Sequence, residues 1–174
     1  MVTRSGVRRG ESLTVNPDDF IEICDLCYRY AAGVDGRDWA LLRSIFTERV
    51  TFDYSSLTDR PAVELAADDW VAGIKPMFTA LSATQHSMSN PRVTVDGDAP
   101  DTAVVTMYLQ AEHILDPDDP SAWFTVGGYY SNRVVRIEGR WLLCGVTLTI
   151  RWRRGRPDVL TIAAERGRSA GSAA

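Results

Sequence analysis

Residues 123–152 read WFTVGGYYSNRVVRIEGRWLLCGVTLTIRW, and this stretch decides the predicted fold class. It holds two long runs, residues 123–137 and 140–152, whose many β-branched and aromatic residues favour extended strands. Only Glu138-Gly139 separates the runs, and a two-residue connection with glycine is typical of a tight antiparallel hairpin. The stretch therefore predicts two long neighbouring strands of an antiparallel sheet.

Two further strands are predicted before this hairpin. Residues 84–95 alternate between apolar and polar side chains, and residues 102–115 form a second extended run. Residues 96–98, DGD, predict the turn between them, and residues 116–121 form a polar loop with two prolines. The second half of the chain is thus predicted to be an antiparallel meander.

The beginning of the chain carries helical patterns instead. Residues 16–19, NPDD, combine a capping asparagine, a proline at the first helical position and two acids, which together indicate a helix start. Apolar residues then recur at helical spacing until Gly33 and Gly36 mark the end of this helix. Asp38 is predicted to cap a second, short helix.

A strand and a third helix complete the first half. Residues 50–54 alternate like a short strand, and Asp68 or Asp69 opens a helix that Pro76 is expected to kink. Helices followed by an antiparallel meander indicate an α+β fold, in which the helices pack on one face of a curved, mainly antiparallel sheet. We expect a cone-shaped α+β barrel whose mouth offers a ligand cavity.

Length and composition indicate one globular domain. The chain has 174 residues, of which 45% are hydrophobic and 24% charged. We predict a disordered N-terminal tail at residues 1–15, the cone domain at 16–155 and a flexible C-terminal tail at 156–174. The last segment is rich in Ala, Gly, Ser and Arg, a composition typical of disorder.

Charge and hydropathy exclude several kinds of partner. Residues 13–152 hold 11 basic and 20 acidic side chains, and this acidic body argues against a nucleic-acid groove. No apolar run approaches the roughly 20 residues of a membrane helix, and no apolar segment follows the basic N-terminus as in a signal peptide. Three cysteines are too few for a disulfide framework. We expect a cytoplasmic protein that binds neither nucleic acid nor membrane.

The two histidines narrow the search for catalytic residues. His86 and His113 fall on neighbouring predicted strands, and even spacing puts His86 and Asn90 on one sheet face. Asp35, at the end of the first helix, has no obvious capping role. A carboxylate that accepts from one imidazole nitrogen fixes the tautomer and makes the other nitrogen a competent base. Two interpretations stay open: His86 is a hydrogen-bonded core residue, or His86 and Asp35 form a general base.

Other kinds of site have weaker support. Cys24 and Cys27 have redox spacing but lie inside an amphipathic helix, where core packing explains them better. Two histidines are too few for a zinc cluster, and the chain has neither a glycine-rich phosphate loop nor a nucleophile elbow. We expect no metal and no organic cofactor. The tyrosines, among them Tyr30, Tyr54 and Tyr130, are either ordinary amphipathic residues or donors to a substrate oxygen.

Short segments of the chain carry a resemblance to a known family: residues 28–39 (YRYAAGVDGRDW), 52–56 (FDYSS), 84–86 (TQH), 139–141 (GRW) and 150–152 (IRW). In order and spacing they resemble the SnoaL-like superfamily, which has the cone fold of the nuclear-transport-factor type. Within it they are most similar to scytalone dehydratases and the related bacterial dehydratases. The resemblance covers about residues 18–153 and is more specific for the fold than for the reaction.

The resemblance implies a set of site residues. It assigns the catalytic dyad to Asp35 and His86, a tyrosine that holds a water or polarises the substrate carbonyl to Tyr54, and a second histidine to His113. One departure is Val34, where scytalone dehydratase has a tyrosine, so scytalone itself is not the expected substrate. The candidate substrate-binding residues are Tyr30, Asn90, Tyr130, Asn132 and Trp152.

Dyad and resemblance together predict a cofactor-independent dehydratase, a lyase that acts on a small hydroxylated carbonyl compound of polyketide or steroid type. Its substrate is expected to be small and hydrophobic or aromatic. Sheet edges that need covering favour a homo-oligomer, either a dimer or a trimer. Two alternatives stay open: an isomerase or polyketide cyclase with the same base, or a non-catalytic ligand-binding or oligomerisation subunit.

Overall fold

The computed structural model describes residues 15–96 and 99–171, and over these residues it contains five helices and six strands. In chain order they are α1 (Pro17–Asp35), α2 (Trp39–Ser44), β1 (Phe46–Asp53), α3 (Ser55–Thr58), β2 (Val63–Ala66), α4 (Ala67–Ala80), β3 (Ala83–Asp96), β4 (Ala99–Ile114), β5 (Trp123–Ile137), β6 (Arg140–Gly155) and α5 (Val159–Gly171). Apart from Val15, the predicted tail at residues 1–15 lies outside the described residues, as do residues 97 and 98 of the predicted turn.

The six strands form one sheet in the order β2-β1-β6-β5-β4-β3. Strands β3 to β6 pair antiparallel in sequence order, which confirms the predicted meander. Strand β1 pairs parallel with β6, and β2 pairs antiparallel with β1. Helices pack against this curved sheet, so the α+β prediction is confirmed. The cone is open rather than closed, because β2 and β3 are its two free edges.

The hairpin between β5 and β6 forms as predicted. The connecting Glu138 and Gly139 both have positive φ, 51° and 79°. Two successive left-handed residues match the right-handed twist of the flanking strands, and glycine adopts this conformation without steric cost. Strand β6 extends beyond its predicted end at residue 152, because Gly155 still pairs with Phe124.

The two predicted helix caps are confirmed. The Asn16 side chain accepts from the backbone N–H two residues later at 2.9 Å, and the Asp38 side chain accepts from the N–H three residues later at 2.9 Å. The third predicted helix, α4, begins slightly earlier than expected, at Ala67, and has two acids in its first turn. Pro76 lies inside α4. The capping side chains, Pro17 and the acids of the first turn therefore mark the helix starts to within one or two residues.

The C-terminal segment corrects the prediction of a flexible tail at residues 156–174. Most of this segment is helix α5, which packs on α4. Val159 and Ala163 are fully buried, and a side chain at position 167 would collide with the carbonyl oxygen of Pro76. Small residues four apart on one helix face allow this close approach. The composition suggested disorder because it holds few large apolar residues, but three small residues on one face suffice to dock the helix.

The core lies between the inner face of the sheet and the helices. Both Cys24 and Cys27 of α1 are buried free thiols, which confirms that they serve core packing. Burial raises the pKa of Cys27 to about 12, so this thiol stays protonated. In the part of the chain that the structure describes, no helix combines the length and apolar character needed to cross a membrane.

Candidate active site

A cavity of about 800 Å³ lies between the inner face of the sheet and helices α3, α4 and α5. Its walls are mostly apolar and aromatic, and Trp70 stacks on Phe52 with ring centroids 4.3 Å apart. Two histidines, two tyrosines, two threonines and three arginines supply its polar groups, and no Asp or Glu of the described residues lines it. A volume of this size suits a small organic molecule.

His86 lines this cavity and rests on Asp35, the last residue of α1. The Nδ1 atom of His86 lies 2.7 Å from Oδ1 of Asp35, and the backbone N–H of His86 donates to Oδ2 at 2.6 Å. The two side chains are 4% and 23% exposed, respectively. Because a carboxylate only accepts, Nδ1 carries the proton and Nε2 keeps its lone pair. The structure thus brings the two predicted dyad residues together and engages both carboxylate oxygens.

Asp35 keeps a negative charge beside this imidazole. Burial raises the pKa of Asp35, but hydrogen bonds from His86 and Thr84 and the attraction of His86 outweigh burial, and the pKa falls below its ordinary value. A carboxylate that is ionised at neutral pH orients the ring and stabilises an imidazolium. The pair is therefore suited to remove a proton from a bound molecule.

Arg37 fixes the corner of the chain that carries Asp35. Its backbone has a left-handed φ of 58°, and its side chain ties the end of α1 to the start of β3. The guanidinium donates to Oγ1 of Thr84 at 2.7 Å and to the carbonyl oxygens of Val34 at 2.9 Å, Asp35 at 3.0 Å and Leu81 at 3.2 Å. Sequence reasoning missed this residue, and its position directly after the glycine that ends α1 was the available signal.

His113 is the second histidine of the cavity. It pairs with Thr84 across β3 and β4, and its ring centroid lies 5.7 Å from that of His86. Its Nδ1–H donates to the carbonyl oxygen of Phe124 at 3.1 Å, which leaves Nε2 as an acceptor. Burial, together with the charge that His86 can carry, lowers the pKa of His113 to about 4. At neutral pH His113 is therefore an uncharged acceptor.

Three tyrosines group beside the histidines. Tyr54, which follows β1, and Tyr130, on β5, line the cavity, whereas Tyr30, on α1, does not. The hydroxyl oxygens of Tyr30 and Tyr54 are 2.9 Å apart, and the ring centroids of Tyr30 and Tyr130 are 5.6 Å apart. Burial raises the pKa of all three well above its ordinary value, so their hydroxyls stay protonated. Tyr30 therefore contacts the site residue Tyr54 but is not itself in position to touch a ligand.

Asn90, a predicted substrate-binding residue, does not reach the cavity. It is exposed and sits in an irregularity of β3 with a φ of 55°. This β-bulge ends the strict alternation that placed Asn90 on the face of His86.

Trp152 lies on the outer face of the sheet, contrary to the prediction. Counting by twos from Leu148, which lines the cavity, puts Trp152 on the inner face. However, Arg151 is skipped in the pairing of β5 with β6, and this bulge reverses the two faces. The indole instead covers Gly127 and is 41% exposed.

Asn132 is buried but lies apart from the cavity. It shares the inner face with Tyr130, yet α1 covers this part of the sheet. Its Nδ2 group donates to Sγ of Cys27 at 3.7 Å, and its Oδ1 has no hydrogen-bond partner among the described residues. The predicted role of Asn132 in substrate binding is therefore not supported by its position.

A sequence model of the family described as SnoaL-like domain matches residues 18–147. The chain belongs to the SnoaL-like domain family. The matched segment of this SnoaL-like protein includes both dyad residues and ends before α5, and it confirms the resemblance that the short segments suggested.

This SnoaL-like protein is similar to known proteins over most of its length. A scytalone dehydratase of Aspergillus fumigatus is 25% identical over 154 residues, which cover 84% of this chain and 90% of that protein. A crystal structure of a Kribbella flavida protein is 31% identical, with a TM-score of 0.75, over 83% of this chain and 97% of that chain. A hexachlorocyclohexane dehydrochlorinase of Novosphingobium barchaimii shares the fold at 16% identity and a TM-score of 0.62, over 78% and 88% of the two chains. The fold is one that carries small-molecule lyases.

Proposed function

We propose that this SnoaL-like protein is a cofactor-independent dehydratase that removes water from a small hydroxylated carbonyl compound. His86 acts as the general base, and Asp35 orients it. The observation that carries the proposal is the 2.7 Å contact between Nδ1 of His86 and Oδ1 of Asp35, beside an apolar cavity. The similarity to a scytalone dehydratase supports dehydration as the reaction.

The reaction begins with proton removal by His86. Nδ1 holds its proton against Asp35, so Nε2 is the ring nitrogen that accepts the substrate proton. Ionised Asp35 stabilises the imidazolium that forms. The matching substrate carries a C–H bond next to a carbonyl group, because the negative charge then moves onto the carbonyl oxygen.

The hydroxyls of Tyr54 and Tyr130 stabilise that oxygen. Both line the cavity and stay protonated, so they donate to the atom on which negative charge develops. Tyr30 holds the Tyr54 hydroxyl through the 2.9 Å contact. Fixed donors in an apolar pocket stabilise such a charge better than water does, because they need no reorganisation during the reaction.

Loss of water completes the reaction. The C–H bond next to the carbonyl breaks and its proton moves to His86, while the electron pair moves into the enolate and then into a new carbon–carbon double bond. The bond between the next carbon and its hydroxyl breaks as His86 returns the proton to the leaving oxygen. Neutral His113 accepts a hydrogen bond from this hydroxyl through Nε2. One water forms, the base is regenerated, and the balance needs neither oxidant nor reductant.

The cavity walls support a hydrophobic or aromatic substrate of polyketide or steroid type. The lining is dominated by aromatic and aliphatic side chains, and the volume of about 800 Å³ accommodates a molecule of several fused rings.

We also propose that this chain is cytoplasmic and forms a homo-oligomer. Exposed Tyr108 and Trp152 on the outer sheet face support an oligomer, which light scattering during size-exclusion chromatography can check.

A mass measurement tests the proposed reaction. The purified protein is incubated with a panel of aromatic and alicyclic β-hydroxy ketones, and product masses are measured. We expect the loss of one water, and a rate that His86→Ala lowers by at least about a hundredfold. Gln85→Ala is the matched control, because Gln85 is exposed next to His86 on the same strand, and it should keep the wild-type rate.

Two outcomes would contradict this mechanism. Wild-type turnover in the His86→Ala variant would exclude the dyad as the base. A product of unchanged mass that still depends on His86 would replace the dehydratase with an isomerase or a cyclase.

A further inference from the structure

Three arginines from separate parts of the chain line the cavity. Arg60 lies between α3 and β2, Arg153 lies on β6, and Arg168 lies on α5. We propose that these arginines bind an anionic group of the substrate, a carboxylate or a phosphate, at the end of the molecule remote from the reacting carbon. This inference rests on the proposed function, and it names the substrate as an anionic hydroxy-carbonyl compound.

The three cavity arginines have no acidic ion-pair partner among the described residues, whereas four other arginines of the chain do. Elsewhere, Arg43, Arg49, Arg136 and Arg156 each form an ion pair with Asp or Glu. No carboxylate of the described residues lies within ion-pair distance of the three cavity arginines.

The side-chain contacts of these three arginines leave donors for a ligand. Arg153 donates one hydrogen bond to the carbonyl oxygen of Ser56, which occupies one of its several N–H groups. The guanidinium groups of Arg60 and Arg168 have no hydrogen-bond partner in the part of the chain that the structure describes. An Arg guanidinium is permanently charged and matches a carboxylate or phosphate with two parallel hydrogen bonds.

The sheet register sets the distance from the base to the anion. His86 pairs with Ala111, Ala111 with Val126, and Val126 with Arg153, so His86 and Arg153 lie in one row across four strands. Three strand spacings separate their backbones by about 14 Å. The side chains of the row line the cavity, so a substrate that bridges the two ends has an apolar body in the middle.

Charge supports an anion rather than a cation at this end. Among the described residues, the ionisable groups that line the cavity are the three arginines, two histidines and two tyrosines. His113 is neutral above about pH 4. The arginine charges therefore meet no opposing charge within the cavity. The three arginines are exposed, so their guanidinium groups stay hydrated until an anion arrives, and no carboxylate of the described residues competes with that anion.

A matched pair of probes tests the inference without turnover. Naphthylbutanoic acid and its primary amide have the same shape and differ in charge, and isothermal titration calorimetry measures their affinities for the wild-type protein. We expect the acid to bind at least about tenfold more tightly than the amide. Arg168→Gln, Arg60→Gln and Arg153→Gln should each reduce this preference and leave amide binding unchanged, which also shows that the cavity is still folded.

Arg166→Gln is the control for general charge effects. Arg166 lies on the same helix as Arg168 and is likewise exposed, but it does not line the cavity. This variant should keep the full preference for the acid. Equal affinity for acid and amide in the wild type would overturn the inference, and so would an equal loss of preference in Arg166→Gln and Arg168→Gln.

A third probe separates the two anion sources. Naphthyl phosphate binding more tightly than the acid points to a phosphorylated substrate or carrier, and the reverse order points to a carboxylate of the substrate itself; either order supports an anion site. His86→Ala should retain the preference for the acid although its turnover is lost. Failure of the proposed function therefore appears in turnover, and failure of the anion site appears in binding.

Discussion

The two ends of the cavity differ in whether their charged side chains have partners. At the inner end, Asp35 engages His86 through both oxygens, and Arg37 donates to four acceptors. At the mouth, Arg60 and Arg168 face the cavity without a carboxylate partner among the described residues. A buried charge without a partner is costly, whereas an exposed guanidinium remains hydrated until a ligand arrives. Proton transfer and substrate selection can therefore be altered separately.

The largest effect is expected from Asp35→Asn at the inner end. The amide keeps the shape of the carboxylate but loses the charge that stabilises the imidazolium, so kcat should fall on the order of a thousandfold. Steady-state kinetics measure the change. Asp38→Asn is the control, because asparagine also caps a helix and Asp38 lies outside the cavity. Equal activity of Asp35→Asn and wild type would show that the inner end is not the catalytic end.

The next largest effect is a loss of unfolding free energy in acid, which we attribute to His113. Folded His113 stays neutral down to about pH 4, whereas an unfolded histidine takes up a proton near pH 6.5. Between these pH values the unfolded state binds more protons than the folded state. The free energy of unfolding therefore decreases as the pH falls, by about 3 kcal/mol at most. Asp35, with its pKa below the ordinary value, loses its contribution only at lower pH.

Urea unfolding at several pH values between about 6.5 and 4 measures this dependence. The variant His113→Gln cannot titrate and should show a shallower loss of unfolding free energy over the same range. An unchanged pH dependence in His113→Gln would mean that His113 is not the group responsible.

A smaller effect is expected where α5 docks at the mouth. In Gly167→Ala the new Cβ would lie 2.1 Å from the carbonyl oxygen of Pro76, so α5 must move away from α4. We expect a loss of about 1–3 kcal/mol in unfolding free energy, together with weaker binding of the acidic probe. Gly171→Ala is the control, since nothing lies within 4 Å of a Cβ there. Equal stability of both variants would contradict the docking of α5.

A still smaller effect is expected from Arg37→Met, which removes the hydrogen bonds around Asp35 but leaves the dyad residues themselves unchanged. Arg37→Met keeps the apolar stem but removes the hydrogen bonds that join α1 to β3. We expect kcat to fall about tenfold, with KM nearly unchanged and the rate sensitive to temperature, because Asp35 is less well positioned. Arg140→Met, at the exposed turn between β5 and β6, is the control. Wild-type kcat in Arg37→Met would remove its positioning role.

The smallest effect is expected at Asn90. This residue lies in the bulge of β3 outside the cavity, and its left-handed backbone suits glycine. Asn90→Gly should therefore leave both kcat and the preference for the acidic probe unchanged. A clear loss of either would mean that the bulge takes part in the site.

Much of the fold and half of the candidate site could be predicted from local patterns. The strands of the meander, the hairpin at Glu138 and the caps at Asn16 and Asp38 depend on neighbouring residues, so short-range chemistry was sufficient. Short elements were missed: α3 and β2 lie in residues 55–66 and have too few residues for a visible period. Helix α5 was missed because its docking face is made of small residues.

The site residues also include some whose positions were predicted correctly and some whose positions were not. The juxtaposition of Asp35 and His86 followed from a resemblance of short motifs, and the structure places them 2.7 Å apart. The face of Asn90 was predicted from unbroken alternation, and a bulge in β3 ends that alternation. Trp152 was predicted to bind substrate, but a bulge in β6 turns it to the outer face.

Periodicity, turn residues and capping residues act over a few positions, so the chain itself specifies its helices, its long strands and their order. Which side chains meet in the cavity depends on register and on helix docking, which couple residues far apart in the chain. Only the tertiary structure therefore determines that Arg37 binds the chain next to the dyad and that Trp152 lies on the outer sheet face. It also determines that three arginines from separate parts of the chain line the same cavity.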